Sequence, residues 1–182
     1  MWILGACTGP SPRPPLSDQQ LERLTGLDSW EIAGRLALSD GDQGGSGRLD
    51  WLQSPSHSEL RFVGPFSQGS WRLNLAPEQA RLELSDDEVY VADSLDKLLI
   101  ETIGWDIPVE ALRWWVKGLP DPNYPFQASQ ADGDRLETLE QLDWRVEYRV
   151  FMAVESVFLP RRITASRGKE QIKLLIRQWR LP

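Results

Sequence analysis

The sequence is poor in residues that staple a fold or carry chemistry. It holds one cysteine and one histidine among 182 residues, so an intramolecular disulfide is impossible and a Cys/His-rich metal site is excluded. A chain of this length buries roughly 70% of the surface its unfolded form exposes, so a core can form without either. Positive charge is in deficit too. Twenty Lys and Arg against 27 Asp and Glu leave a net charge of -7, which argues against nucleic acid, whose binding depends on clustered cations. No apolar run approaches the ~18 residues of a membrane-spanning helix, and no internal repeat of roughly 20–50 residues is visible. Catalytic patterns are missing as well: no serine lies in a Gly-x-Ser-x-Gly elbow and no Gly-rich phosphate loop follows a strand. His57 lies in Gln53-Ser54-Pro55-Ser56-His57, which reads as a polar turn. Asp86-Asp87-Glu88 lacks the ligand spacing and glycine of a calcium loop and reads, like Asp132-Gly133-Asp134, as a solvated turn. The expectation is a protein that is not an enzyme, with no metal and no cofactor.

What is abundant is tryptophan, nine residues of it, and it calls for large apolar faces. The single cysteine stands in Leu4-Gly5-Ala6-Cys7, which matches the bacterial lipobox. Small residues before the cysteine let a peptidase reach the backbone, and acylation of the thiol then supplies a membrane anchor worth ~0.8 kcal/mol per buried methylene. The alternative is an ordinary buried thiol. Against it, Thr8-Gly9-Pro10-Ser11-Pro12-Arg13-Pro14-Pro15 is a Pro-rich tether that neither helix nor sheet accommodates. Met1-Trp2-Ile3 falls short of the ~7–15 apolar residues of a signal peptide, so residues 1–6 are expected to be the remnant of one. Residues 7–17 then form a lipidated tether, and 18–182 one folded domain.

Ser17-Asp18-Gln19-Gln20 has capping-box spacing and predicts a helix over 18–26. At Trp30 the pattern turns to period two, the mark of a half-buried strand. Strands are predicted at Trp30–Leu38, Arg48–Gln53, Leu60–Val63, Trp71–Leu75, Arg81–Leu84 and Val89–Val91, with 39–47 a turn-rich connection. Two helices follow, Ser94–Ile103 behind an Asp93 N-cap and a second from Pro108 in its first turn to Gly118. Leu119–Pro125 is expected to be irregular. Strands return at Leu136–Leu139, at Asp143–Met152 with Trp144, Val146, Tyr148 and Val150 on one side, at Val157–Arg162, at Ile163–Ser166 and at Gln171–Arg180. The fold class is α+β, mainly antiparallel β, with the helices against one sheet face or closing a barrel mouth.

Two apolar features fit no enzyme. Gly64-Pro65-Phe66-Ser67-Gln68 puts an aromatic residue at a turn that would ordinarily be polar. Phe66 either folds back as a plug or projects as a wedge toward a membrane or partner. Trp114 and Trp115 point about 100° apart on a helix, so one of them is free to line a second apolar surface.

These pieces, in order, resemble the LolB family of outer-membrane lipoproteins: the lipobox, the short helix, Trp-x-x-x-Gly-Arg-Leu-Ala-Leu (30–38), Gly-x-Leu-Asp-Trp-Leu-Gln (47–53) and Gly-Pro-Phe (64–66). Ile-Pro-Val-x-x-Leu-Arg-Trp-Trp-Val-x-Gly-Leu-Pro (107–120) and Ile-Lys-Leu-Leu-Ile-Arg-Gln-Trp (172–179) complete the set. The resemblance runs from Cys7 to the C-terminus. It implies an open half-barrel of about eleven strands whose helices cover an apolar cavity. It also implies a monomer lipidated at Cys7, held at the periplasmic face of the outer membrane, which accepts acylated lipoproteins from the soluble carrier LolA and inserts them into outer-membrane lipid. Gly64, Pro65 and Phe66 would form the membrane-insertion loop. Phe66 stands where the family usually has leucine, and Thr8 is not the aspartate of inner-membrane retention. Candidate acyl-chain residues are Trp30, Leu36, Trp51, Phe62, Leu73, Leu99, Ile103, Leu112, Trp115, Trp144, Tyr148 and Leu174. Two other readings compete: a soluble periplasmic carrier of LolA type, and a glycan-binding surface module, since rows of tryptophan also stack on sugars.

Overall fold

A computed structural model describes residues 17–65, 69–93, 95–103, 107–131 and 135–182. It opens on helix α1 (Asp18–Thr25), whose capping box is present as spaced: the Ser17 hydroxyl accepts from the Gln20 amide and the Gln20 side chain returns to Ser17. Of its apolar residues Leu24 is buried, whereas Leu21 is exposed. Six strands follow in sequence: β1 (Trp30–Ser39), β2 (Gly44–Ser54), β3 (His57–Val63), β4 (Trp71–Ala76), β5 (Gln79–Leu84) and β6 (Val89–Ala92). Helices α2 (Leu95–Ile103) and α3 (Val109–Trp115) come next. The chain ends in β7 (Gln127–Ala131), β8 (Arg135–Gln141), β9 (Trp144–Val154), β10 (Val157–Arg167) and β11 (Glu170–Arg180).

All eleven strands form one antiparallel sheet in the order β6-β5-β4-β3-β2-β1-β11-β10-β9-β8-β7. Each half is a meander, and the pairing of β1 with β11 joins them. The sheet does not close, because β6 and β7 are its two edges. The chain between those edges therefore has to travel from one side of the sheet to the other. That crossing segment carries α2 and α3, with Leu98, Leu99, Val109, Ala111, Leu112 and Trp115 buried against the inner face in one contiguous core. The open half-barrel with covering helices is the architecture expected.

Alternation decides what faces inward. In β1, Trp30, Ile32, Gly34, Leu36 and Leu38 are buried while the residues between them are not. Where the alternation slips, a bulge explains it. Pairing of β1 with β11 shifts at Ala33/Gly34, opposite Gln178 and Ile176. Arg177 is then the extra residue, and both Ile176 and Trp179 can face the core. Gly34 is required there, since a Cβ would lie 2.2 Å from the Leu175 carbonyl oxygen.

Six expectations need correcting. Gly44–Gly47 belong to β2, not to the turn; Gly47 is there because a Cβ would meet the Val63 carbonyl at 2.3 Å and the Phe62 ring at 2.7 Å. His57 begins β3, half-buried and paired with Ser54, and the turn is confined to Pro55-Ser56. Residues Val157–Arg167 make one strand where two were expected: Pro160 and the arginines after it look like a break, but a shift in register beside Pro160 absorbs the missing donor. The same irregularity turns Phe151 inward in place of Val150. Strand β7 was not expected at all, because Gln-Ala-Ser-Gln-Ala has no apolar alternation, and as an edge it pairs only with β8. Pro108 is the N-cap of α3, one residue outside the helix.

Candidate functional site

The inner face is built around tryptophan. Trp30, Trp51 and Trp179, from the adjacent strands β1, β2 and β11, meet edge to face, with ring centroids 5.0 Å apart for Trp30–Trp51 and 5.5 Å for Trp30–Trp179. Phe62 stacks on Trp71 at 5.4 Å. Trp115 of α3 approaches Trp144 of β9 at 6.5 Å. Buried indoles need an acceptor, and the fold provides several: Trp51 donates to the Ser58 hydroxyl at 2.8 Å, Trp115 to Gln141 Oε1 at 2.9 Å and Trp179 to the Pro160 carbonyl at 3.2 Å.

Gln141 ties α3 and the segment after it to the sheet. Besides Trp115, its Oε1 accepts from the Asp121 amide at 2.9 Å, and its Nε2 donates to the carbonyls of Asp121 and Tyr124 at 2.8 and 3.1 Å. The Pro-rich segment after α3 is thereby tied to β8 with the buried amide fully satisfied.

The expected acyl-chain residues Trp30, Leu36, Trp51, Phe62, Leu73, Leu99, Leu112, Trp115, Trp144, Tyr148 and Leu174 are all buried in that one core. The Ile103 side chain, Cys7 and Phe66 lie outside the described residues. Burial alone does not make a cavity wall, and Leu73 and Trp115 are wholly enclosed. The space that does open on the inner face is a cavity of about 380 Å³ bounded by Leu38, Phe62, Trp71 and Leu84, with Gly64, Pro65 and Asp86 at its rim. It lies where the β1–β2, β3–β4 and β5–β6 turns share one end of the sheet, beside the Gly64-Pro65 loop. Leu38, Trp71 and Leu84 were not among the expected wall residues. Their signal was present in part: each is an inward position at the end of its strand nearest that loop.

The size falls at the low end of the ~300–1,000 Å³ typical of small-molecule sites, and the wall combines the apolar surface of Leu38, Phe62, Trp71 and Leu84 with polar groups of Gln43, Ser46, Ser70, Ser85 and Asp86. The apolar part of such a surface can hold a hydrocarbon chain at ~25 cal/mol per Å². Elsewhere, exposed apolar side chains gather at the sheet edges: Val89, Tyr90 and Val91 on β6, and Tyr124 and Phe126 just before β7.

A family model described as outer membrane lipoprotein LolB matches residues 28–179. The chain belongs to the LolB family. Among its relatives, an outer-membrane lipoprotein LolB of Pseudomonas fluorescens (strain Pf-5) is 34% identical over 97% of this chain and 90% of its own length. A LolB of Stutzerimonas stutzeri is 36% identical over 84% of the chain and 74% of its own length. Among solved structures, a LolA superfamily protein from Nitrosomonas europaea superposes with a TM-score of 0.57 at 12% identity, covering 92% of this chain and 94% of that one. A DUF1329 family protein from Desulfovibrio piger gives 0.59 at 6% identity over 90% and 89%. These two likenesses concern the fold. Membership of the LolB family favours the lipoprotein-receptor reading over both a LolA-type carrier and a glycan-binding module.

Proposed function

We propose that this LolB-family chain is an outer-membrane lipoprotein that takes acylated lipoproteins from the periplasmic carrier LolA, shelters their acyl chains against its concave face and releases them into the outer membrane. The observation that carries this reading is the family match over a half-barrel whose apolar inner face opens beside the Gly64-Pro65 loop. In this reading Cys7 bears the lipid anchor, and the protein stands at the periplasmic face of the membrane. No bond is made or broken. An acyl chain moves from carrier to receptor to bilayer because each later environment buries its methylenes better, at ~0.8 kcal/mol apiece. The lid formed by α2 and α3 opens to admit the chain, and Phe66 presses into the bilayer to lead it out.

The test is a transfer assay from a carrier–lipoprotein complex into liposomes. Phe66→Glu is expected to accept lipoprotein normally and to fail in delivery; undiminished delivery refutes the wedge. Mass spectrometry of the native protein should find acylated Cys7 at the mature N-terminus, and an unmodified Cys7 there would count heavily against the receptor reading. Tryptophan quenching by acylated peptide, with none by oligosaccharides, removes the glycan alternative.

A further inference from the structure

The chain is acidic overall, yet its charge is sorted by strand. The five adjacent strands β2, β1, β11, β10 and β9 hold ten of the 20 Lys and Arg (one each on β1 and β2, two on β9, three each on β10 and β11) but four of the 27 Asp and Glu. All four of those carboxylates are already in ion pairs on the same strands: Glu31 with Arg180 at 2.9 Å, Asp50 with Arg48 at 3.0 Å, Glu147 with Arg149 at 3.1 Å and Glu170 with Arg167 at 2.7 Å. Arg35, Arg161, Arg162, Lys173 and Arg177 are left over, each of them exposed and none with a carboxylate partner among the described residues. The inward positions of these strands are taken by the apolar core, so the surplus of positive charge lies on the outer face of the sheet.

Register gathers part of that surplus into one band. Arg162 pairs with Leu175, Leu175 with Arg35, Arg35 with Arg48, and Arg48 with Val63. Cross-strand partners share a face, so this row runs across the outer side from β10 to β3 without an acid in it. It ends one residue before Gly64-Pro65. Arg35, Arg149, Arg162 and Lys173 border a groove of about 660 Å³ on the same face. With strands ~4.8 Å apart, the backbones of Arg162 and Arg35 are separated by roughly 10 Å. Arg35 and Arg48 stand directly opposite one another, a like-charge arrangement that costs stability and that an anionic surface relieves.

We propose that the outer face of β9, β10, β11, β1 and β2 docks on a surface of anionic phospholipid. The inference rests on the membrane placement proposed above. Charge complementarity selects the occupant: the cations are spread along a band and not gathered in one enclosed pocket, which suits many lipid phosphates at once. The row from Arg162 to Val63 contains no aromatic residue, the kind of anchor that dominates protein interfaces. Docking by this face leaves α2, α3 and the apolar inner face on the opposite side of the sheet, open to an incoming lipoprotein. It also sets the Gly64-Pro65 loop at the margin of the membrane contact.

Vesicle flotation of the full chain carrying Cys7→Ser tests it, because no acyl anchor then contributes. Neither carrier nor lipoprotein is present, so a failure here and a failure of the transfer assay are separate results. The probes are vesicles of phosphatidylcholine alone and of phosphatidylcholine with phosphatidylglycerol. Binding is expected to the anionic vesicles and to fall steeply with added salt. Combining Arg35→Gln, Arg162→Gln and Lys173→Gln is expected to weaken it on the order of 100-fold, about fivefold for each cation removed. All three side chains are exposed, so the variant should keep the wild-type circular dichroism and Tm. A control with the same change in net charge placed elsewhere, Arg23→Gln, Arg81→Gln and Arg113→Gln together, is expected to bind as wild type does. The proposal is overturned by absence of binding, by equal binding to phosphatidylcholine alone, by binding indifferent to salt, or by wild-type affinity in the triple variant. Should that variant bind vesicles normally and lose the carrier instead, the face is a protein surface and the proposal falls.

Discussion

Lys117 concentrates the cost of burying a charge in a sheet-dominated fold. Desolvation is the main influence on its ammonium and moves its pKa from 10.5 to about 8; Asp28 opposes the shift and Arg113 adds to it. Between those two values the unfolded chain holds the proton and the folded chain does not, so stability rises with pH across this window. The gain is expected to reach about 3 kcal/mol, since each pKa unit is worth ~1.4 kcal/mol. Urea unfolding at pH 7 and near pH 10 checks it. Lys117→Met should lack the slope and be more stable than wild type by about 1–3 kcal/mol at pH 7. Gln141 makes the opposite case: equally buried, but with every hydrogen-bonding group partnered. A lone lysine or glutamine in a sequence carries no mark of which case it will be, because the partners come from residues far along the chain.

At the scale of elements, most of the fold was legible. The capping box of α1 and the alternation of β1, β3, β4, β5 and β11 are local patterns, and each corresponds to an element of the structure. The failures share a cause. Gly44–Gly47 look like a turn because glycine usually marks one, yet Gly47 lies in a strand to make room for Phe62 and the Val63 carbonyl. Pro160 looks like a break, yet the β9 and β11 neighbours hold it in place. β7 has no alternation because it is an edge. In each instance a neighbouring strand overrides the local preference. Substitutions separate the two roles of glycine. Gly34→Ala is expected to cost about 2–3 kcal/mol through overpacking against the Leu175 carbonyl. Gly45→Ala, with nothing within 4 Å of the added carbon, should change stability by no more than ~0.5 kcal/mol. Thermal unfolding of both variants distinguishes a strand glycine held by close packing from one in open space.

At the scale of the whole molecule, the open sheet matters most. A closed barrel would have no edges and would need its chain to be expelled through a mouth. Here the crossing from β6 to β7 makes the covering helices a separate layer over the inner face, so the apolar surface can be uncovered without breaking a strand ladder. Stability should be graded to match: slowest hydrogen exchange in β1, β2, β10 and β11 at the centre of the sheet, fastest in β6 and α2 at the edge. Mass-spectrometric exchange measures this directly, and uniform protection from edge to centre would argue against an opening lid.

What the sequence determined by itself was direction. Periodicity states which side chains point inward, the abundance of tryptophan states that the inner face is large and apolar, and the order of the motifs from Trp30 to Trp179 states the family. Only the tertiary structure decided which inward residues border open space. Phe62 borders it and the equally apolar Leu73 does not; Leu38, Trp71 and Leu84 complete the wall. The same holds for the indole of Trp30, left without an acceptor among the described residues while three others find one. The physical reason is that pointing inward is a property of one strand, whereas a cavity or an unpaired donor is what remains after strands distant in sequence, and the helices crossing between the sheet edges, have taken their places.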